Sequence, residues 1–210
     1  MPFDLWLTFA AASLALLLIP GPTVLLVLSY ALSKGRSVAV ASAAGVALGD
    51  LVAMTASLLG LGALVLASAT LFTLLKWIGA LYLVYLGVKL IRSAPTSEAL
   101  DLPAADTVTA ARVFGHTAAV TALNPKSIAF FIAFVPQFIR PEAALAPQFT
   151  ILIATFVTLA AANAFAYALA ASRLRRVIAR PGVLTWITRA GGSALIGMGI
   201  LTATLRRGTA

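Results

Sequence analysis

The sequence contains no cysteine and a single histidine, His116. The missing cysteines exclude disulfides, thiolate metal sites and cysteine nucleophiles. One imidazole is too few for a histidine-rich metal centre, so we expect neither a bound metal nor a cofactor. Charge is also scarce, because only 10% of the 210 residues are charged whereas 61% are hydrophobic. Soluble domains carry about 25% charged residues, so this composition indicates a protein whose solvent is lipid.

Six apolar runs are long enough for membrane-spanning helices, which need about 20 residues. They lie at about 5–32, 38–67, 71–91, 113–139, 149–171 and 184–205. Continuous runs of this length favour helices over the short alternating strands of a membrane barrel. No Lys or Arg precedes the first run, so we expect a retained span and not a cleaved signal peptide. The sequence predicts one all-α transmembrane domain of six helices.

The basic residues predict how the chain is oriented. The net charge of +9 comes from short Lys and Arg clusters between the apolar runs, which fits membrane orientation better than a nucleic-acid surface. One side would carry Lys34, Arg36, Lys89, Arg92, Arg112, Arg173, Arg175, Arg176, Arg180 and Arg189, and the other Arg140, Arg206 and Arg207. Because the richer side is normally cytoplasmic, we expect both termini outside a bacterial inner membrane.

The first and fourth spans are interrupted by proline at corresponding depths. The first contains Pro20-Gly21-Pro22 followed by Thr23, and the fourth contains Asn124-Pro125-Lys126. A mid-helix proline removes a backbone hydrogen bond, and lipid tolerates opened backbone only beside protein or a water-filled cavity. Two ordinary proline kinks are one explanation.

The other explanation is an internal repeat. Each half, about 1–92 and about 111–210 on either side of a polar loop at 93–110, holds three spans, so the second half enters from the opposite side. Matched breaks then predict a 3+3 inverted repeat with a substrate site between the broken helices. The new half-helix N-termini would attract a carboxylate.

Asp50 lies near the middle of the second span, where a carboxylate costs at least about 2.5–3.5 kcal/mol. We expect it to hold a substrate ammonium group or to carry a coupling proton. A structural salt bridge, with Lys126 as partner, is the alternative. Lys126 itself would bind a substrate carboxylate, pair with Asp50 or extend toward an interface. For Lys76, a turn into the third span, a functional role and extension toward the interface are equally open.

Several further residues are assigned to the cavity or to helix packing. Asn163 and Tyr167 share one face of the fifth span, where lining the cavity and bonding between helices are equal alternatives. Gly45 and Gly49 permit a close helix contact beside Asp50, and glycine faces would allow a homodimer. Similar packing is expected of Gly191, Gly192, Ser193 and Gly197. His116 is expected to be structural.

At these residues the chain resembles the LysE/RhtB family of bacterial amino-acid exporters, over almost its whole length. The motifs that carry the resemblance are Pro20-Gly21-Pro22, Gly45 through Asp50, Lys76-Trp77-Ile78-Gly79-Ala80-Leu81-Tyr82-Leu83 with Gly87, and Asn124-Pro125-Lys126 with Phe130-Phe131 and Pro136-Gln137-Phe138. The resemblance implies gradient-driven export, with Asp50, Lys126 and the proline breaks as the functional core. Thr23 departs from the acidic or amide residue of many members, which bears on the substrate.

We therefore expect a secondary transporter that exports a small amino acid or a derivative by proton-coupled antiport and alternating access. Its partners would be the amino acid, a coupling proton or cation, and the bilayer, with no nucleic acid. A cation exporter is the alternative, although it would need more acids or histidines in the spans. An intramembrane hydrolase would need a Ser/His or paired-acid site, and a non-transporting scaffold would need neither Asp50 nor matched breaks.

Overall fold

The computed structural model describes residues 1–19, 21–34, 36–67, 69–92, 109–140, 143–178 and 181–204. Within these residues the chain forms helices and no strand. Pro20, most of the predicted loop at 93–110, the side chain of Lys76 and the arginine side chains between 173 and 180 lie outside the described part. The expectations made for them stay predictions.

The described residues form eight α-helices and one short 3-10 turn. In chain order they are α1 (Phe3–Leu18), α2 (Pro22–Lys34), α3 (Arg36–Ala67), α4 (Ala69–Arg92), α5 (Ala110–Ala122), α6 (Pro125–Ala133), the 3-10 turn (Val135–Phe138), α7 (Leu145–Ile178) and α8 (Pro181–Thr204).

The first bend lies at the Pro-Gly-Pro sequence. α1 ends at Leu18, and Ile19 is extended, with ψ at 118°, as is usual for a residue that precedes proline. α2 begins at Pro22, because the fixed φ of proline suits a first helical position and no hydrogen-bond donor is needed there. The axes of α1 and α2 differ by 60°.

The second bend lies between α5 and α6, where the angle is 44°. α6 begins at Pro125, and the Oδ1 atom of Asn124 accepts a hydrogen bond of 3.0 Å from the backbone N–H of Lys126. Asn124 is therefore the N-cap of α6, a position that asparagine favours. α6 is short and leads into the 3-10 turn, which contains Pro136.

Aromatic packing holds this short helix in place. Phe130 and Phe131 of α6 are fully buried and pack on Phe156 of α7, with ring centroids 5.9 and 4.8 Å apart. Phe134 stacks on Phe130 at 5.2 Å. Buried aromatic rings supply large apolar contact areas. Because α6 has only nine residues, the packing of its side chains holds it in place more than its own backbone hydrogen bonds do.

Three described helices are long and apolar enough to cross a membrane, at Val38–Ala63, Thr73–Arg92 and Leu145–Ala171. Each bent pair counts as one further span when its two helices are taken together, which gives up to five in the described residues. α8 covers most of the sixth predicted run, at about 184–205, and is not among these candidate spans. The all-helical membrane fold agrees with the sequence, and the six-span repeat stays a prediction.

Small residues lie where helices approach each other closely. α3 packs along α5 and α7, and α4 packs along α8. A Cβ atom on Gly49 would lie 2.6 Å from the carbonyl oxygen of Ala118, and one on Gly45 would lie 2.5 Å from that of Phe114. Both glycines therefore lie at the α3–α5 crossing. A Cβ atom on Gly197 would meet no described atom within 4 Å, contrary to the packing role predicted for it.

Candidate functional site

The two helix breaks are adjacent in space. The Oγ1 atom of Thr23, in the first turn of α2, accepts a hydrogen bond of 3.1 Å from Asn124 Nδ2. Thr121 Oγ1 also donates to it, at 3.4 Å. Since Asn124 caps α6 through its other amide atom, one side chain joins the N-terminal ends of α2 and α6. The two half-helix N-termini therefore meet in one region of the protein interior.

Lys126 contacts the broken end of α1. Its Nζ atom donates to the carbonyl oxygens of Leu16, at 3.1 Å, and Ile19, at 2.9 Å. The last carbonyls of a helix lack partners within the helix and carry the negative end of its dipole. The lysine amine therefore caps the C-terminus of α1.

Two side chains of α7 complete this cap. Asn163 Nδ2 donates to the carbonyl oxygen of Leu17 at 3.1 Å, and the Tyr167 hydroxyl donates to that of Leu18 at 3.2 Å. Further along the same two helices, Trp6 Nε1 donates to Thr155 Oγ1 at 2.9 Å. The α7 donors replace bonds that the break removes from α1.

Asp50 is 2% exposed, and its Oδ1 atom has no hydrogen-bond partner in the described part of the chain. Lys126 lines the same cavity, and its positive charge acts on the carboxylate. The lysine amine nevertheless makes its hydrogen bonds to α1 carbonyls and not to Asp50. A direct salt bridge between the two, one of the alternatives from the sequence, is not the bond that this lysine makes.

Most of the predicted site residues line one small cavity of about 30 Å³. These residues are Thr23, Asp50, Asn124, Lys126, Asn163 and Tyr167. A volume above roughly 10–15 Å³ holds one water molecule, whereas ligand pockets measure roughly 300–1,000 Å³. An amino acid therefore does not fit in this conformation. No three His, Asp or Glu side chains come together as metal ligands in the residues described.

A second, more open cavity of about 220 Å³ shares Asn124 and Lys126 with the first. Its other lining residues are Gly21, Pro22, Leu86, Lys89, Leu90, Pro125 and Leu195. The predicted residues Gly21, Pro22 and Pro125 thus line this larger cavity and not the smaller one. From the sequence, Lys89 was considered only as one of the basic residues that predict orientation. Its spacing from Leu86 nevertheless places the two residues on one face of α4. Ser127 lines the smaller cavity and was not predicted as a site residue. Its position next to Lys126 is the feature of the sequence that could have indicated it.

His116 lies at neither cavity. Its Nδ1 atom is 2.7 Å from the hydroxyl oxygen of Tyr30, so the pair joins α5 to α2. This contact agrees with a structural role.

Comparison with known proteins gives the family. The family model of LysE-type translocators matches residues 14–206. The chain belongs to the LysE translocator family. LysE-type proteins are translocators, so this chain is a membrane transporter and not an enzyme.

Relatives within this family extend over nearly the whole chain. A membrane protein of Vibrio cholerae is 34% identical over 206 residues, covering 98% of this chain and 100% of that protein. The homoserine/homoserine lactone efflux protein of Salmonella typhimurium is 34% identical over 207 residues, covering 98% and 99%. The leucine efflux protein of Salmonella choleraesuis is 31% identical over 137 residues, covering 65% and 64%. No solved structure matches the chain.

Proposed function

We propose that this chain exports a small amino acid, or a derivative of one, across the bacterial cytoplasmic membrane. Family membership supports this, as do relatives named for the efflux of homoserine, homoserine lactone and leucine. These three compounds share a primary ammonium group, whereas the lactone lacks a free carboxylate. The ammonium group is therefore the feature that a common site has to recognise.

The observation that carries the proposal is the buried carboxylate of Asp50, which has an unpartnered oxygen beside two helix breaks. An unpaired buried acceptor costs about 1–3 kcal/mol, and more when it is charged. A bound ammonium group would supply the missing donor. The N-termini of α2 and α6, joined through Asn124, would receive the substrate carboxylate where one is present.

Export would be coupled to proton entry by alternating access. A proton that reaches Asp50 from outside neutralises the carboxylate and releases the ammonium group, and loss of that proton to the cytoplasm resets the site. Because the cavity of about 30 Å³ is too small for an amino acid, this conformation would be a substrate-free one between the two open forms.

The proposed architecture is a six-span 3+3 inverted repeat with both termini outside. In such a repeat α3 corresponds to α7, and α4 corresponds to α8. Each of these pairs packs directly together, which supports a pseudo-twofold axis between them. A homodimer stays a prediction.

The decisive variant is Asp50→Asn, which keeps the size of the side chain and removes its charge. In vesicles loaded with labelled homoserine, homoserine lactone or leucine, a proton gradient should drive export by the wild type. We expect the rate for Asp50→Asn to fall to that of vesicles without protein. Asp4→Asn makes the same chemical change at an exposed position in the first turn of α1 and should retain export. Gradient-driven export by Asp50→Asn at the wild-type rate would contradict the proposal.

A further inference from the structure

The broken end of α1 binds a primary ammonium group, which is that of Lys126. Its amine donates to two carbonyl oxygens, those of Leu16 and Ile19, at the negative end of the helix dipole. Asp50, whose Oδ1 atom has no hydrogen-bond partner in the described residues, lines a cavity together with Lys126. Carbonyl oxygens together with a carboxylate are acceptors suited to the three N–H donors of an ammonium group.

We propose that the C-terminal carbonyls of α1 and the carboxylate of Asp50 form the binding site for the substrate ammonium group, which Lys126 occupies as a built-in competitor while no substrate is bound. This inference rests on the proposed export of amino acids, and it adds that Lys126 fills the ammonium site while no substrate is bound.

The two ammonium groups differ in which acceptors they satisfy. The Lys126 amine bonds the carbonyls and leaves Asp50 Oδ1 without a partner. A free substrate is not tethered to α6, so its ammonium group is able to bond both the carbonyls and the carboxylate. Hydrogen bonds to a charged group contribute more than neutral ones. The exchange therefore favours the substrate even though the competitor is part of the protein.

The second cavity gives the substrate a route to this exchange. Lys126 lines both the 220 Å³ cavity and the 30 Å³ cavity. A Cβ atom on Gly21, which lines the larger cavity, would lie 3.4 Å from the lysine Nζ atom. A molecule that enters the larger cavity therefore meets Lys126 before it meets Asp50.

The exchange would also bring the Lys126 amine beside the carboxylate of the substrate. The ammonium and carboxylate groups of an α-amino acid are attached to the same carbon atom. When the substrate ammonium group replaces the Lys126 amine on the α1 carbonyls, the carboxylate comes to lie beside the released amine. Lys126 changes from competitor to partner of the substrate carboxylate in one step.

The test restores the ammonium group from solution. Lys126→Ala removes the amine together with its stem and leaves room for ethylammonium. We expect ethylammonium chloride to raise the melting temperature of purified full-length Lys126→Ala by about 2–4 °C over equal sodium chloride, the size expected of one charge-assisted contact in a chain of this length. Wild type should show no such rise, because its site is filled and ethylammonium has no carboxylate to pair with the Lys126 amine that it would have to release. Tetramethylammonium, which has no N–H donor, should not stabilise the variant.

Further variants keep the result interpretable. Asp50→Asn in the Lys126→Ala background should weaken the ethylammonium effect, because one acceptor has lost its charge. If Lys126→Ala does not fold, Lys126→Met gives the same test, since methionine fills the stem and leaves a headgroup position that only the ammonium ion fits. Ammonium chloride should then raise the melting temperature of Lys126→Met and not that of the wild type.

A rise of equal size in the wild type and the variant, or no rise in the variant, would overturn the inference. The measurement requires no transport, so its result is independent of export. Export without rescue by ammonium compounds would remove this inference alone. Rescue in a protein that exports no amino acid would leave the ammonium site standing and overturn the proposed function.

Discussion

Tyr167 and Asn163 are side chains whose role depends on backbone atoms of another helix. Each donates one hydrogen bond to a carbonyl at the end of α1. Carbonyls at the end of a helix have no partner within the helix, and in a lipid-embedded protein they depend on donors from neighbouring helices. The two donors therefore supply hydrogen bonds to carbonyls that lost their helical partners at the break.

At this scale we predict that Tyr167→Phe lowers the free energy of unfolding by about 0.5–1.5 kcal/mol, because the carbonyl of Leu18 loses its donor while packing is kept. Unfolding of the purified protein by a denaturing detergent measures the change. Tyr82→Phe removes a hydroxyl from an exposed side chain of α4 and should have no effect. Equal losses in the two variants would mean that the bond to Leu18 does not contribute.

The sequence predicts the members of the site better than it predicts their partners. The spacing of Asn163 and Tyr167 places them on one face, and both of the alternatives considered for them agree with the contacts, since they line the cavity and also bond another helix. The acceptors of Lys126 are not predictable in this way. They are backbone carbonyls, which every residue carries, so only the position of the helix end selects them.

At the scale of helices, the α3–α5 crossing places Asp50 beside the breaks. We predict that Gly49→Ala destabilises the protein by about 1–3 kcal/mol, the usual cost of overpacking, because its Cβ atom would lie 2.6 Å from both Ala118 O and Thr121 Cβ. Gly60→Ala is the matched control in the same helix, since nothing lies within 4 Å of its Cβ position.

Thermal unfolding of both variants distinguishes helix contact from helix propensity. Alanine favours a helix over glycine by about 1 kcal/mol, so Gly60→Ala should be neutral or stabilising. A stabilised Gly49→Ala would mean that α3 and α5 separate more easily than their close approach indicates.

Proline positions predict where helices end, but not the angles between them. The stop before Pro20 and the start at Pro125 follow from the missing N–H group and the fixed φ of proline. The bends of 60° and 44° depend on what each half-helix packs against, such as the phenylalanines of α6. The 3-10 turn at Pro136 lies inside a run that the sequence analysis treated as helix up to about 139, because its apolar composition hides the change.

At the scale of the whole molecule, orientation depends on the distribution of Lys and Arg. We predict that Ser97→Cys, in the loop between the two halves, faces the cytoplasm and that Thr209→Cys, near the C-terminus, faces outside. Because the chain has no cysteine, each variant carries a single thiol. An impermeant maleimide applied to spheroplasts should label Cys at position 209 at once and at position 97 only after permeabilisation. The reverse pattern would invert the proposed orientation and leave the helical fold unaffected.

Family and membrane class follow from the whole sequence, because apolar length and motif order are properties that a sequence carries directly. The volume of the cavity does not follow, since 30 Å³ depends on how closely five helices approach. The second cavity is not predictable for the same reason, because it lies between α4, α8 and the two breaks.

Side-chain hydrogen bonds attach α1 to two neighbouring helices, α7 and α6. Bonds at Trp6, Asn163 and Tyr167 tie α1 to α7 along its length, whereas Lys126 ties its end to α6. Release of the lysine would remove its two hydrogen bonds to α1 and leave the three from Trp6, Asn163 and Tyr167 in place. If the substrate displaces the lysine as proposed, the end of α1 loses its bonds to α6 but stays bonded to α7, which itself packs on α2 and α3.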